Sequence, residues 1–268
     1  MDRLLTLKLD AIGCEAEALL NGVPLARVHA GRPSALVPIH EYTLAGTNRL
    51  ELVVWPYAAA VLAADAPLPP PMPLISDGAV SAHARILLPR IGNTVDETQS
   101  RTLGQIDWAP AQAQAYSAPV NLSEDLPIPV SFPRWRWMDA PRAELTPALR
   151  QQALALLQQF QLELAAGDAN SFMSATRFRG EELAVAYPQD AAALQQRLRG
   201  ELEQLQGQTF LPLDEGSLLL RRLAGGRLLE CLDASGEPAL RTEPDEQGRQ
   251  RAYPMRMAAV EGKLYVLR

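Results

Sequence analysis

The stretch TPALRQQALALLQQFQLELAAG, Thr146–Gly167, decides the fold class. Threonine is a good N-cap because its hydroxyl accepts from a first-turn N–H, and proline suits the first helical position, where no N–H is needed. Leu149, Ala153, Leu156, Phe160 and Leu164 then recur at helical spacing, and Gly167 ends the pattern. A second helical region is expected over about 170–187, stopped by Pro188. A third starts near Asp190 and carries Leu194, Leu198, Leu202 and Leu205 on one stripe up to Gly207. Beyond it the chain reads as strands: "TFLPL", "SLLLRRLA", "RLLECLDA", "PALRTE", "RAYPMRMAAV" and "KLYVLR", separated by glycine turns. Helices followed by an antiparallel meander predict an α+β architecture.

Upstream of Thr146 the pattern has period two. "EALLNGVPLARV" holds two short strand-like runs around Asn21-Gly22, a dipeptide that accepts the positive φ angles of tight hairpin turns. Leu50, Leu52 and Val54 alternate after the turn at Gly46-Thr47-Asn48, so one sheet face is buried. Five prolines between Pro67 and Pro73 predict extended chain, read as a long crossing loop. The remaining pieces are short strands bounded by prolines, which suits a β-sandwich or jelly roll. With 268 residues, two domains are expected, a β-sandwich over 1–140 and an α+β domain over 141–268.

The net charge is −6, and neither half is basic: residues 1–140 contribute −4 and 141–268 contribute −2. A nucleic-acid binder needs a cationic footprint, so nucleic acid is not an expected partner. Two lysines accompany 23 arginines, which reads as bacterial-type genome composition rather than function. Cys14 and Cys231 are too few for a disulfide framework and lack zinc-ligand spacing. The amino-terminal residues resemble neither a signal peptide nor an anchor, and "VVWPYAAAVLAADAPL" is too short to span a bilayer; a cytoplasmic location and no membrane partner are expected.

The order of elements over 146–268, with "LELAAGDANSFMSAT" between helices and the closing "YPMRMAAVEGKLYVLR", resembles the NTF2-like (SnoaL-like) α+β superfamily. That resemblance implies a curved sheet around a long helix, with a conical cavity at one end. The first half is similar to galactose-binding-type jelly rolls, in its "NG" hairpin and the "G-T-N-R-L" start of a strand. Neither likeness fixes function, because both folds host enzymes, receptors and interaction modules.

Enzymes of the NTF2-like superfamily use an Asp base, a Tyr donor or a His–Asp pair. His29, His40 and His83 all lie in the first half, so the resemblance leaves Asp233 with Tyr187, Tyr253 or Tyr265 as cavity groups. Asp233 also opens the turn "DASGEP", where aspartate caps the turn for its own reasons. Arg256, if inward, would bind a carboxylate; the alternative is an outer face, with Met255 and Met257 toward the helix. The histidines have no metal-ligand pairing, and no nucleophile elbow or phosphate loop occurs; no metal, cofactor or catalytic residue is expected.

The stretch "SFPRWRWMDAP", Ser131–Pro141, alternates Trp135 and Trp137 with Arg134 and Arg136. Read as a strand, it puts both rings on one face, filling the sandwich core or a seam between domains; exposed, they would form a sugar platform. The sequence reading is therefore a non-catalytic protein with a protein partner or a second copy. A small-molecule site or enzyme in the cone is the alternative, with Asp233, Tyr253, Arg256 and Tyr187 as ligand groups. Carbohydrate binding through the tryptophans comes third.

Overall fold

A computed structural model describes residues 4–56, 73–89, 100–130, 132–187 and 189–268. Most of the proline-rich run expected as a crossing loop, 65–72, lies outside the described residues. The structure is mixed α and β, with its sheets antiparallel. By internal contacts the chain falls into two compact units, Met1–Pro133 and Arg134–Arg268, so the Trp135–Trp137 segment goes with the helices.

The first unit contains β1 (Thr6–Ile12), β2 (Cys14–Leu20), β3 (Val23–Val28), β4 (Ser34–Pro38) and β5 (Gly46–Pro56). It continues with β6 (Leu74–Ile75), β7 (Ser81–Pro89), β8 (Ser100–Trp108), β9 (Ala115–Tyr116) and β10 (Val120–Ile128). Two four-stranded sheets result, in the orders β4-β1-β7-β8 and β10-β5-β2-β3, with β6 and β9 as a separate pair. The period-two pattern is realised: Leu50, Leu52 and Val54 of β5 are fully buried, as are Leu7 and Leu9 of β1.

The two motifs of the first half meet in space. Asn21 and Gly22 both take positive φ (55° and 74°), making the tight turn between β2 and β3. The Asn21 amide donates to the Asn48 side-chain oxygen (2.8 Å), and the buried Asn48 amide donates to the carbonyls of Leu44 and Gly46. "NG" and "G-T-N-R-L" are thus two halves of one hydrogen-bonded corner, which satisfies polar groups that burial would otherwise penalise.

Gly104 of β8 sits where the β7–β8 register shifts, and a Cβ there would overlap the buried Leu126 side chain of β10. Glycine is needed for this close approach. Gly104→Ala is expected to cost about 1–3 kcal/mol through overpacking, measured by urea denaturation; an unchanged midpoint would show that Leu126 moves freely.

The second unit holds α1 (Pro147–Ala165), α2 (Asn170–Ala175), α3 (Arg177–Ala186) and α4 (Ala191–Glu203). Strands β11 (Leu219–Leu223), β12 (Leu228–Leu232), β13 (Leu240–Arg241), β14 (Ala252–Tyr253), β15 (Arg256–Val260) and β16 (Lys263–Val266) follow. Thr146 caps α1, its hydroxyl accepting from the Leu149 N–H at 3.2 Å. The single helix expected over 170–187 is broken at Thr176, whose hydroxyl bonds back to the carbonyls of Phe172 and Met173 and so competes with the helical ladder.

The sheet order β11-β12-β15-β16 leaves β13 and β14 as a separate pair, because Pro254 lacks the N–H to carry β14 into β15. Leu220, Cys231, Met257, Leu264 and Val266 cluster with Leu157, Phe160 and Leu164 of α1 in one apolar core. "TFLPL" is not a strand, apart from one isolated bridge from Phe210 to Thr242. Its chain is held from the side by α1: Gln161 and Gln158 donate to the carbonyls of Leu211 and Leu213, and Arg150 to that of Leu218 further on. Among the described residues no helix is long and apolar enough to cross a membrane.

Candidate functional site

The groups suggested by the cone resemblance, Asp233, Tyr253, Arg256 and Tyr187, each have partners of their own. Asp233 follows β12, and its carboxylate accepts from the Ser235 N–H (2.8 Å), the Ser235 hydroxyl and the Glu237 N–H (3.1 Å), and pairs with Arg241. Desolvation pushes this carboxyl up, but the Ser235 and Glu237 hydrogen bonds and the Arg241 charge outweigh it and hold it below its ordinary value. A general base working near neutral pH needs the opposite shift. Asp233 is a turn-capping, ion-paired residue here.

Arg256 turns to Glu230, its Nε 3.3 Å from one carboxylate oxygen, while Arg221 holds the other at 2.7 Å. In the β12–β15 register, Glu230 and Arg256 are opposite one another, and so are Leu229 and Met257. The ion-paired trio therefore occupies the sheet face opposite the one that carries Met257 into the apolar core. Tyr253 lies on β14 beside Phe172, with ring centroids 6.1 Å apart, and burial pushes its phenol pKa up. Tyr187 closes α3, its N–H donating to the Leu183 carbonyl.

The segment around Trp135 and Trp137 is not a strand. Arg136–Met138 form a single 3-10 turn after extended Trp135. Trp135 is 0 % exposed and Trp137 2 %, so the pair forms no open platform. The Arg268 guanidinium lies 5.5 Å from the Trp135 ring centroid. The Arg136 N–H donates to Glu182 (2.7 Å), whose other carboxylate oxygen binds buried Arg268. The arginines between the rings are paired as well, Arg134 bidentately with Asp139 and Arg136 with Glu181 at 2.6 Å. Alternation alone could not show this, because a turn that reverses within three residues can bury two aromatic rings as well as a strand does.

The histidines are dispersed within the first unit. His40 is buried and its Nε2 accepts from the Leu5 N–H (2.8 Å), His83 meets Asp107 at 2.7 Å, and His29 accepts from the Gly31 N–H. Among the described residues no three His, Cys, Asp or Glu side chains converge to hold a metal ion. Both cysteines are buried; desolvation raises the Cys14 thiol and pushes Cys231 up to about 12, where thiolate chemistry is suppressed.

A groove of ≈ 160 Å³ lies along α2, α3 and α4, and none of these groups lines it. Its floor is Met173, Gly180, Leu183, Leu194 and Leu198. The leucine stripe of α4 explains it: Leu202 and Leu205 are fully buried in the core, whereas Leu194 and Leu198 are only half covered. At Gly180 a Cβ would meet nothing within 4 Å, and the backbone there is not left-handed, so neither sterics nor φ calls for glycine. Glycine in a helix interior costs about 0.5–1 kcal/mol relative to alanine. Gly180→Ala is expected to raise stability by about that amount, read from the urea midpoint; a loss would mean the groove floor is tighter than its geometry. A mid-helix glycine is the sequence signal that marks this place, and only the packing tells which helical glycine faces a groove.

Four aspartates of this unit have lowered carboxyl pKa values. The Arg134 hydrogen bond acts on Asp139, the Ser217 N–H on Asp214 and the Arg249 N–H on Asp245, while Asp233 is lowered against its own desolvation. Each binds fewer protons folded than unfolded, so its contribution is complete above about pH 4 and disappears as the pH falls through the lowered folded value. The urea midpoint is expected to be steady from neutral pH to about pH 5 and to drop below about pH 4; a midpoint that rises on acidification would contradict this. No protein-family model matches this chain, and no curated protein or solved structure matches it either.

Proposed function

We propose that the protein is a non-catalytic interaction protein that engages another protein through the α3–α4 groove. The reading keeps an N-terminal β-sandwich and a C-terminal NTF2-like unit as its architecture. The observation that carries it is the leucine stripe of α4, whose Leu194 and Leu198 are only partly buried and line an apolar groove with Leu183 and Met173, while Leu198 and Met173 also pack against the core. A concave, mostly apolar lining of this kind is a recurrent mark of binding sites. The groups a catalytic reading would use favour the same conclusion, since Asp233 is saturated by its turn and Arg256 is engaged with Glu230. The cone reading, with a small molecule between α1 and the sheet, has less support, because Leu157, Phe160 and Met257 pack together there.

The test is a photo-crosslinking residue placed at Gln195, on the exposed edge of the groove, in the full-length chain expressed in its native cells. A single discrete adduct with one other protein is the expected result. Recovery of the unmodified chain alone would end the reading.

A further inference from the structure

The rim of the α3–α4 groove has a charge opposite to that of the chain. Acidic residues outnumber basic ones 31 to 25 overall, yet Arg177, Arg179 and Arg197 border the groove against one carboxylate, Glu201. The nearest acidic side chains of α3 are engaged elsewhere: Glu181 pairs with Arg136 and Glu182 with Arg268. Arg177 is positioned by its own surroundings, donating to the Tyr265 hydroxyl (3.1 Å) and lying 4.4 Å from the Phe178 ring centroid. Arg179 and Arg197 have no ion-pair partner among the described residues. Guanidinium groups left over beside an apolar floor match a ligand whose carboxylates flank an apolar ridge. The floor itself has an opening at Gly180, where a side chain from outside meets no Cβ.

We propose that the groove receives an acidic amphipathic helix of a partner protein. An apolar side chain of that helix sits over Gly180 between Leu183 and Leu198, and its Asp or Glu residues reach Arg179 and Arg197. This is the helix-in-groove mode of recognition, in which apolar anchors at i, i+3/i+4 and i+7 give affinity and flanking charges give selectivity. The proposal rests on the reading of this groove as an interaction surface, and it adds the chemistry of the partner.

The experiment is selection on the full-length protein from a displayed library of helices, with leucine fixed at i, i+3, i+4 and i+7 and all other positions random. Asp and Glu are expected to enrich at the flanking positions. A peptide so selected is expected to lose affinity at least about tenfold toward Gly180→Leu, which fills the floor, and toward the double variant Arg179→Glu/Arg197→Glu. Gly200→Leu is the folding control: Gly200 is also mid-helix with open space around its Cβ position but lies outside the groove, so binding should be retained.

Absence of selection, enrichment of Lys and Arg, or equal binding by Gly180→Leu would overturn the proposal. A concentration-dependent dimer abolished by Gly180→Leu would overturn it too, by making a second copy the occupant. If the Gln195 adduct forms while no acidic helix is selected, the interaction reading stands and this inference fails.

Discussion

Replacing Glu182 by alanine is expected to destabilise the Arg134–Arg268 unit by about 3–5 kcal/mol, among the largest effects of any single substitution in the chain. Glu182 is buried on α3, and its carboxylate is the counter-ion of Arg268, whose side chain is 1 % exposed. The same carboxylate takes the Arg136 N–H at 2.7 Å. Alanine removes the acceptor of the Arg136 N–H and the Glu182 counter-charge of Arg268 at once, in a site where water cannot compensate fully. Urea denaturation followed by near-ultraviolet circular dichroism measures the loss.

A replacement pair separates charge from packing. Glu182→Leu with Arg268→Met removes both ions and keeps apolar volume, so it should recover most of what the single change costs. A Glu182→Ala penalty under about 1 kcal/mol would mean that the pair is solvated, contrary to its burial.

Trp135→Ala is expected to cost about 3–5 kcal/mol by leaving a large cavity. The indole is 0 % exposed and has the Arg268 guanidinium near its face. Trp135→Phe keeps most of the volume and should cost distinctly less. Because the ring is a structural anchor, addition of sugars should leave the fluorescence of the folded protein unchanged. Quenching by a sugar, or a Trp135→Ala variant as stable as the parent, would reverse this assignment. The two substitutions share Arg268, so their effects should be non-additive when combined.

Much of the architecture was legible in the chain because it depends on local rules. The Thr146-Pro147 start of α1, the glycine-marked turns and the alternation of Leu50, Leu52 and Val54 follow from capping, positive φ and the two-residue period of a strand. Where these rules failed, a side chain had intervened. Thr176 breaks the second helical region by bonding back to its own turn, and Gln158 and Gln161 of α1 hold as irregular chain a segment whose residues read as strand. Nothing in the spelling of a glutamine says which carbonyl fifty residues away it will satisfy.

The candidate sites divide along the same line. Asp233 was legible as a turn aspartate because its partners, Ser235 and Glu237, are neighbours in sequence. Arg256 and Glu230 are 26 residues apart, and the engagement that removes Arg256 from any cavity exists only once β12 and β15 are in register.

By itself the sequence determined the types of the strongly patterned elements, the place where strands give way to helices, the caps and hairpin turns, and the apolar stripes available for burial. Each of these is decided within a few residues by backbone geometry and side-chain period. The tertiary structure alone decided how far those stripes are covered: Leu202 and Leu205 fully in the core, Leu194 and Leu198 partly buried along the groove, and Trp135 and Trp137 in a buried turn. Burial and ion pairing are properties of neighbours brought together from distant parts of the chain, and no local pattern specifies those neighbours.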